Sequence, residues 1–313
     1  YTVDKGDPQF SFTMLVMWAD IFIMPVMFFI SGYFGLMSLV KQTDGRFWKS
    51  KLVRIIIPWI AGVVILAPPV TFIMFASRGI PMDYVHDYLF KLFLFGPCFS
   101  HVQYWYLGLL TYLYILLYVF CKLKPDFRKQ LPASIPGAKL FVGFTILSFA
   151  CTVGGYMYAG GNNDLWTFIW PVLVFQPSRV LLYPLYFFLG AYAWRHQWFT
   201  QGGYKADPTK WLPAFIVTSV AYLFYCIMGA QTAASMEQYM IVKAAIHVLF
   251  VLSAVFGLLA IFQSQLDYTN KFLGELAANS YNMYYTHMGL VMLIAWYFVQ
   301  FDWSAYVKYI MVS

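Results

Sequence analysis

Six charged or imidazole side chains are placed where they could do chemistry. Lys51 and Arg54 stand three residues apart, directly before an apolar run, and on a regular helix that spacing puts them on one face. Arg offers a rigid fork and Lys a compact charge, so the pair suits a phosphate or pyrophosphate. The same pair could simply anchor a helix by reaching to lipid headgroups, and spacing alone favours that plainer role. Asp20 lies inside MWADIFIMP, well within an apolar stretch. Acids in such a setting are costly and usually face a cavity, although Asp20 could also be hydrated near an interface. His287 sits in NSYNMYYTHMGL beside the hydroxyls of Ser280, Tyr281, Tyr284 and Tyr285. Imidazole is the usual general base near neutral pH, and a satisfied packing histidine is the competing reading. His101 precedes VQYWYLGLLTY with Trp105, and Arg179 follows Gln-Pro-Ser; each stands at the end of an apolar run. His247 follows Lys243 by one helical turn, whereas His86 and His196 fall in loops. Ser31-Gly32-Tyr33 interrupts an apolar helix, where glycine permits close packing or a bend. There is no Walker loop, GxSxG elbow, HExxH or dinucleotide fingerprint, and no Cys/His spacing suited to a metal.

The elements that must position these groups are membrane helices. Of 313 residues, 61% are hydrophobic and only 11% charged, too few charges to clothe a soluble fold of this size. The fold expected is an all-α, polytopic transmembrane bundle. Runs of about 20 apolar residues are needed to span a bilayer. They fall at 11–38, 52–76, 102–122, 138–159, 179–195, 211–230, 238–264 and 280–300, about eight complete spans, with a partial ninth from Trp303. The net charge of +7 would suggest nucleic acid in a soluble protein. Here the basic residues concentrate in alternate short loops, so topology explains them and no nucleic-acid partner is expected. One loop set carries Lys41, Arg46, Lys49, Lys51 and Arg54, then Lys122 to Lys139, then Arg195 to Lys210, then Lys271. The positive-inside rule places that set in the cytoplasm. On the other side, DYVHDYLFKLFLF within 78–101 reads as an amphipathic surface segment. The stretch 160–178 reads as a cap anchored by Trp166 and Trp170. Cys98, Cys121, Cys151 and Cys226 are dispersed and read as packing residues.

MPVMFFISGYFG, followed by the basic loop and KLVRIIIP, resembles the signature of the acyltransferase 3 superfamily. Its members are integral membrane enzymes that O-acylate polysaccharides, glucans and lipids. Three further blocks resemble it in the same order: His101 with Trp105-Tyr106-Leu107, YPLYFFLGAYAW at 183–194, and NSYNMYYTHMGLV at 279–291. The glucan-modifying type is the nearest likeness. The resemblance implies one membrane-embedded domain over 1–313 in a bacterial inner membrane, with no bound cofactor. It implies an acyl donor, acyl-CoA as co-substrate, and a carbohydrate or lipid acceptor. Lys51-x-x-Arg54 matches the family's Arg-x-x-Arg donor motif with Lys in first place. Ser31, Gly32 and Tyr33 would receive the acyl chain, and His101, Trp105 and Arg179 would line the acceptor approach. The family's catalytic His lies in a first helix, expected ahead of Tyr1, with Asp20 or His287 assisting. A chain lacking that helix and the end of its last one is expected to be inactive. A transporter or flippase of a lipid-linked glycan is the rival; it predicts two matching halves, and no internal repeat is present.

Overall fold

The computed structural model describes residues 10–162, 165–266, 268 and 270–312. Ten helices follow one another among them, with a short 3-10 turn at Pro125–Arg128 besides. α1 (Phe10–Lys41) ends at the basic loop, and α2 (Asp44–Ala76) leaves it. α3 (Tyr84–Leu94) is a π-helical surface segment, and α4 (Val102–Leu123), α5 (Ala138–Tyr158) and α6 (Leu182–Arg195) follow. α7 (Pro208–Thr232), α8 (Met236–Gln265), α9 (Lys271–Val299) and α10 (Ala305–Val312) complete the order. Strands β1 (Thr167–Ile169) and β2 (Leu173–Phe175) pair antiparallel in the 160–178 cap. This hairpin is the one departure from the expected all-helical fold among the described residues.

Six helices are long and apolar enough to cross a bilayer: α1, α2, α4, α5, α7 and α8. They coincide with six of the eight expected spans. The run at 179–195 forms only the 14-residue α6, because Gln176–Leu181 turn tightly before it, with Val180 N–H donating to Gln176 at 2.9 Å. The run at 280–300 belongs to the longer α9, whose Asn279, Ser280, Asn282, Thr286 and His287 dilute its apolar character. The partial ninth is the eight-residue α10.

α1 and α6 form the centre. Their backbones touch: a Cβ added to Gly32 would stand 1.8 Å from the carbonyl oxygen of Phe187, and one added to Gly190 would stand 1.9 Å from that of Phe29. Only residues without a side chain allow this approach. One core, built from α2, α3, α4 and α9, covers one flank of that pair, and a second, from α7 and α8, covers the other. The two loop sets stay apart, as the charge pattern requires. At the basic end Leu131 N–H donates to Arg195 and the Gln197 amide to Leu131. At the opposite end the Trp170 indole donates to Leu94, and Tyr112 to Val172.

Proline chemistry explains how α9 docks. Pro58 has no N–H for the carbonyl four residues back, that of Arg54. π-helical turns at Leu52–Ile56 and Gly62–Leu66 bracket it. The orphaned Arg54 carbonyl accepts from the Tyr281 hydroxyl at 2.8 Å, and the Pro58 carbonyl accepts from Tyr285 at 3.0 Å. Tyr281 and Tyr285 are one turn apart on α9, as Arg54 and Pro58 are on α2, so the two bonds fix the register of the helices.

Candidate active site

The basic end opens the site. Thr43 caps α2, its hydroxyl accepting from Arg46 N–H at 3.4 Å, and this aims the helix start at the loop. Lys51 turns inward, its Nζ 4.1 Å from the centre of the Tyr114 ring and 5.1 Å from that of Phe47. Arg54 is exposed. The shared face expected for a regular helix is therefore loosened, because the wider π-helical turn after Lys51 rotates Arg54 away. One cation reaches into the bundle and the other stands at its surface.

From Lys51 a line of hydroxyls runs along the contact of α1, α4 and α9. Tyr114 donates to the Ser31 carbonyl at 3.3 Å, and the Ser31 and Tyr106 hydroxyls are 2.7 Å apart. The Tyr106 and Tyr284 ring centres lie 6.0 Å apart, and Tyr284 donates to the Gln103 carbonyl at 2.7 Å. Each ring is largely buried, so each hydroxyl must find a partner. Gln103 then borders a cavity of about 380 Å³ at the opposite end, walled by Phe99, Trp105, Trp166, Phe168 and Met288. The Trp105 and Trp166 rings meet edge to face at 5.7 Å. Such a wall offers flat apolar faces beside hydrogen-bonding groups, a surface suited to a sugar ring.

His101 does not line that cavity. It is buried behind it, accepting from the Trp59 indole N–H at Nδ1 (3.4 Å) and meeting the Pro171 carbonyl at Nε2 (3.1 Å). Those partners require the neutral Nε2–H tautomer, and burial pushes its pKa down to about 4. His101 thus pins the 160–178 cap over the aromatic wall and positions the cavity rather than contacting its contents.

The Ser31-Gly32-Tyr33 group is divided by the fold. Ser31 faces the hydroxyl line, Gly32 is spent on the α1–α6 contact, and Tyr33 lies on the other flank against Phe199, ring centres 5.2 Å apart. Asp20 and Arg179, expected in separate roles, are brought together as an ion pair. Arg179 Nη1 also donates to the Asp20 backbone carbonyl at 3.3 Å. Asp20 and His287 are not brought together. His287 is exposed on α9, and its Nδ1 lies 2.7 Å from its own helix's Tyr284 carbonyl, leaving Nε2 as the basic nitrogen.

Tyr284 stands beside His287 and Tyr106 in the block with Trp105, where neither is expected to join a line of hydroxyls, and Tyr114 belongs to none of the blocks. The signal available was spacing: Tyr106 and Tyr114 are eight apart and so share a helix face, and each carries a hydroxyl into an apolar run.

A family model described as an acyltransferase domain matches residues 3–313. Glucans biosynthesis protein C of Salmonella heidelberg (strain SL476) is 25% identical over 205 residues, covering 62% of this chain and 51% of that protein. The protein of the same name from Salmonella schwarzengrund (strain CVM19633) matches with the same identity and coverage. The chain thus spans about half the length of the curated relatives it matches. No solved structure matches it significantly. The family model covers nearly every residue, from the basic loop through the tyrosine-rich α9, and the chain belongs to the acyltransferase 3 family of integral membrane acyltransferases.

Proposed function

We propose that the protein moves an acyl group from acyl-CoA, taken up at the basic, cytoplasmic end, to a hydroxyl of a cell-envelope carbohydrate held at the aromatic cavity. The observation that carries this reading is the succession of buried tyrosine and serine contacts from Lys51 to the cavity at Gln103 and Trp105 in a chain of this family. Lys51 and Arg54 neutralise the donor's phosphates at the mouth. The acyl chain follows the Ser31 side of α1. The relatives' name, which speaks of glucans, supports carbohydrate as the acceptor.

In the reaction the acceptor oxygen attacks the thioester carbonyl carbon. The carbon–sulfur bond breaks, the thiolate leaves, and the hydroxyl proton passes to a base. Within this chain His287 offers that base: its Nδ1 is held by the Tyr284 carbonyl, so Nε2 is left to accept the proton. Asp20 instead supports Arg179, which serves the acceptor side by holding α1 to the start of α6.

The test uses the full-length protein in sealed vesicles with radiolabelled acyl-CoA and a membrane glucan. Label is expected in the glucan, and Lys51→Ala and Tyr106→Phe are expected to reduce it. Export of unlabelled glucan by the intact protein, with no acyl transfer, would overturn the proposal in favour of a transporter.

A further inference from the structure

A second cavity lies away from the hydroxyl line. It has a volume of about 820 Å³ and sits at the basic end, between α1, the 198–205 turn and the end of α8. Phe34, Phe262 and Leu266 form its apolar side; Gln201 and Lys205 form its polar side. Lys205 forms no ion pair among the described residues, unlike neighbouring Lys210, which pairs with Asp207 at 3.2 Å.

We propose that this cavity is a binding site for an anionic phospholipid. The phosphate diester would meet Lys205 and the Gln201 amide, and an acyl chain would lie along Phe34, Phe262 and Leu266. Two observations favour a lipid over a water-soluble anion. Phe34 and Phe262 are more than half exposed, so the apolar wall opens outward, toward hydrocarbon in a membrane. The polar wall is confined to the basic end, where a headgroup layer would lie. The acyl donor is disfavoured as occupant by position. Lys51 and the hydroxyl line are on the other flank of the α1–α6 pair, and the backbone contact at Gly32 and Gly190 closes the way between.

The test is photolabelling of the full-length protein in phosphatidylcholine nanodiscs. Trace phosphatidylglycerol or phosphatidylcholine carries a photoreactive group on one chain, and labelled peptides are mapped. The phosphatidylglycerol probe is expected to label 198–205 and 259–266 more strongly than the phosphatidylcholine probe. Lys205→Gln should lower that preference on the order of fivefold, the effect of one charge at a lipid surface. Leu259→Trp should block labelling by filling the cavity, and Lys51→Ala should leave it unchanged. Gel filtration confirms that each variant is folded. Equal labelling by the two probes, or labelling spread evenly over the exposed faces of α5 and α7, would overturn the proposal. So would labelling displaced by acyl-CoA and not by added phosphatidylglycerol, which would make the cavity the donor site.

Discussion

Removing Asp20 should destabilise the protein far more than removing Arg179, although the two form a single ion pair. The asymmetry follows from burial: the Arg179 side chain is 5% exposed and that of Asp20 is 47% exposed. Asp20→Ala leaves a guanidinium that cannot shed its charge, with a backbone carbonyl at 3.3 Å as its remaining hydrogen bond among the described residues. Its Nε has no partner among the described residues. Stranding a buried charge in this way costs about 3–5 kcal/mol. Arg179→Met strands a carboxylate that reaches the surface, which costs about 1 kcal/mol. The double variant Asp20→Leu/Arg179→Met removes both charges and should recover most of the loss. A double-mutant cycle on unfolding of the detergent-solubilised protein, with transfer rate measured per folded molecule, reads these terms. Equal losses from the two single variants would refute the burial argument. A stable Asp20→Ala protein with abolished transfer would refute the supporting role given to Asp20 and restore it to the chemistry.

Gly32→Ala should cost at least the upper end of the 1–3 kcal/mol usual for overpacking, because the atom 1.8 Å from the new Cβ is backbone; Gly154→Ala, which meets nothing within 4 Å, is the control in the same unfolding assay. Lys51→Ala should raise the donor KM about tenfold with a smaller change in kcat, the loss of one charge-assisted contact; an unchanged KM would reduce Lys51 to a topological role. Tyr281→Phe with Tyr285→Phe should cost about 1 kcal/mol per lost bond, read as lowered stability and as faster hydrogen exchange around Pro58. His101 should make stability depend on pH. Its pKa falls from 6.5 unfolded to about 4 folded, so the unfolded chain binds more protons between those values. Stability is then complete above 6.5 and is lost as pH falls toward 4, by about 3 kcal/mol in all. His101→Phe should flatten that part of the unfolding profile, and an unaltered slope would refute the assignment.

Legibility in the sequence followed the range of the interactions. Six spans and the segregation of basic loops were readable because hydropathy and charge act on one helix at a time. α6 was overestimated because length in an apolar run does not reveal the tight turns at Gln176–Leu181. The Lys51/Arg54 geometry was misread for a related reason. Pro58 was visible, but the π-helical turn before it, which points one cation inward and the other outward, was not inferred from it.

The division of Ser31-Gly32-Tyr33 shows why adjacency in a motif is weak evidence for shared chemistry. Successive residues on a helix point about 100° apart, so three neighbours can serve three different surfaces. Here Ser31 joins the hydroxyl line, Gly32 brings two backbones into contact, and Tyr33 packs against Phe199. Gly32 joins the two sides. The contact it permits makes α1 and α6 one wall with two sides, the hydroxyl line on one and the cavity at Trp198 on the other. A side chain at Gly32 would force that wall apart and disturb both sites at once, whereas changes at Lys51 or Lys205 should each be felt on one side alone.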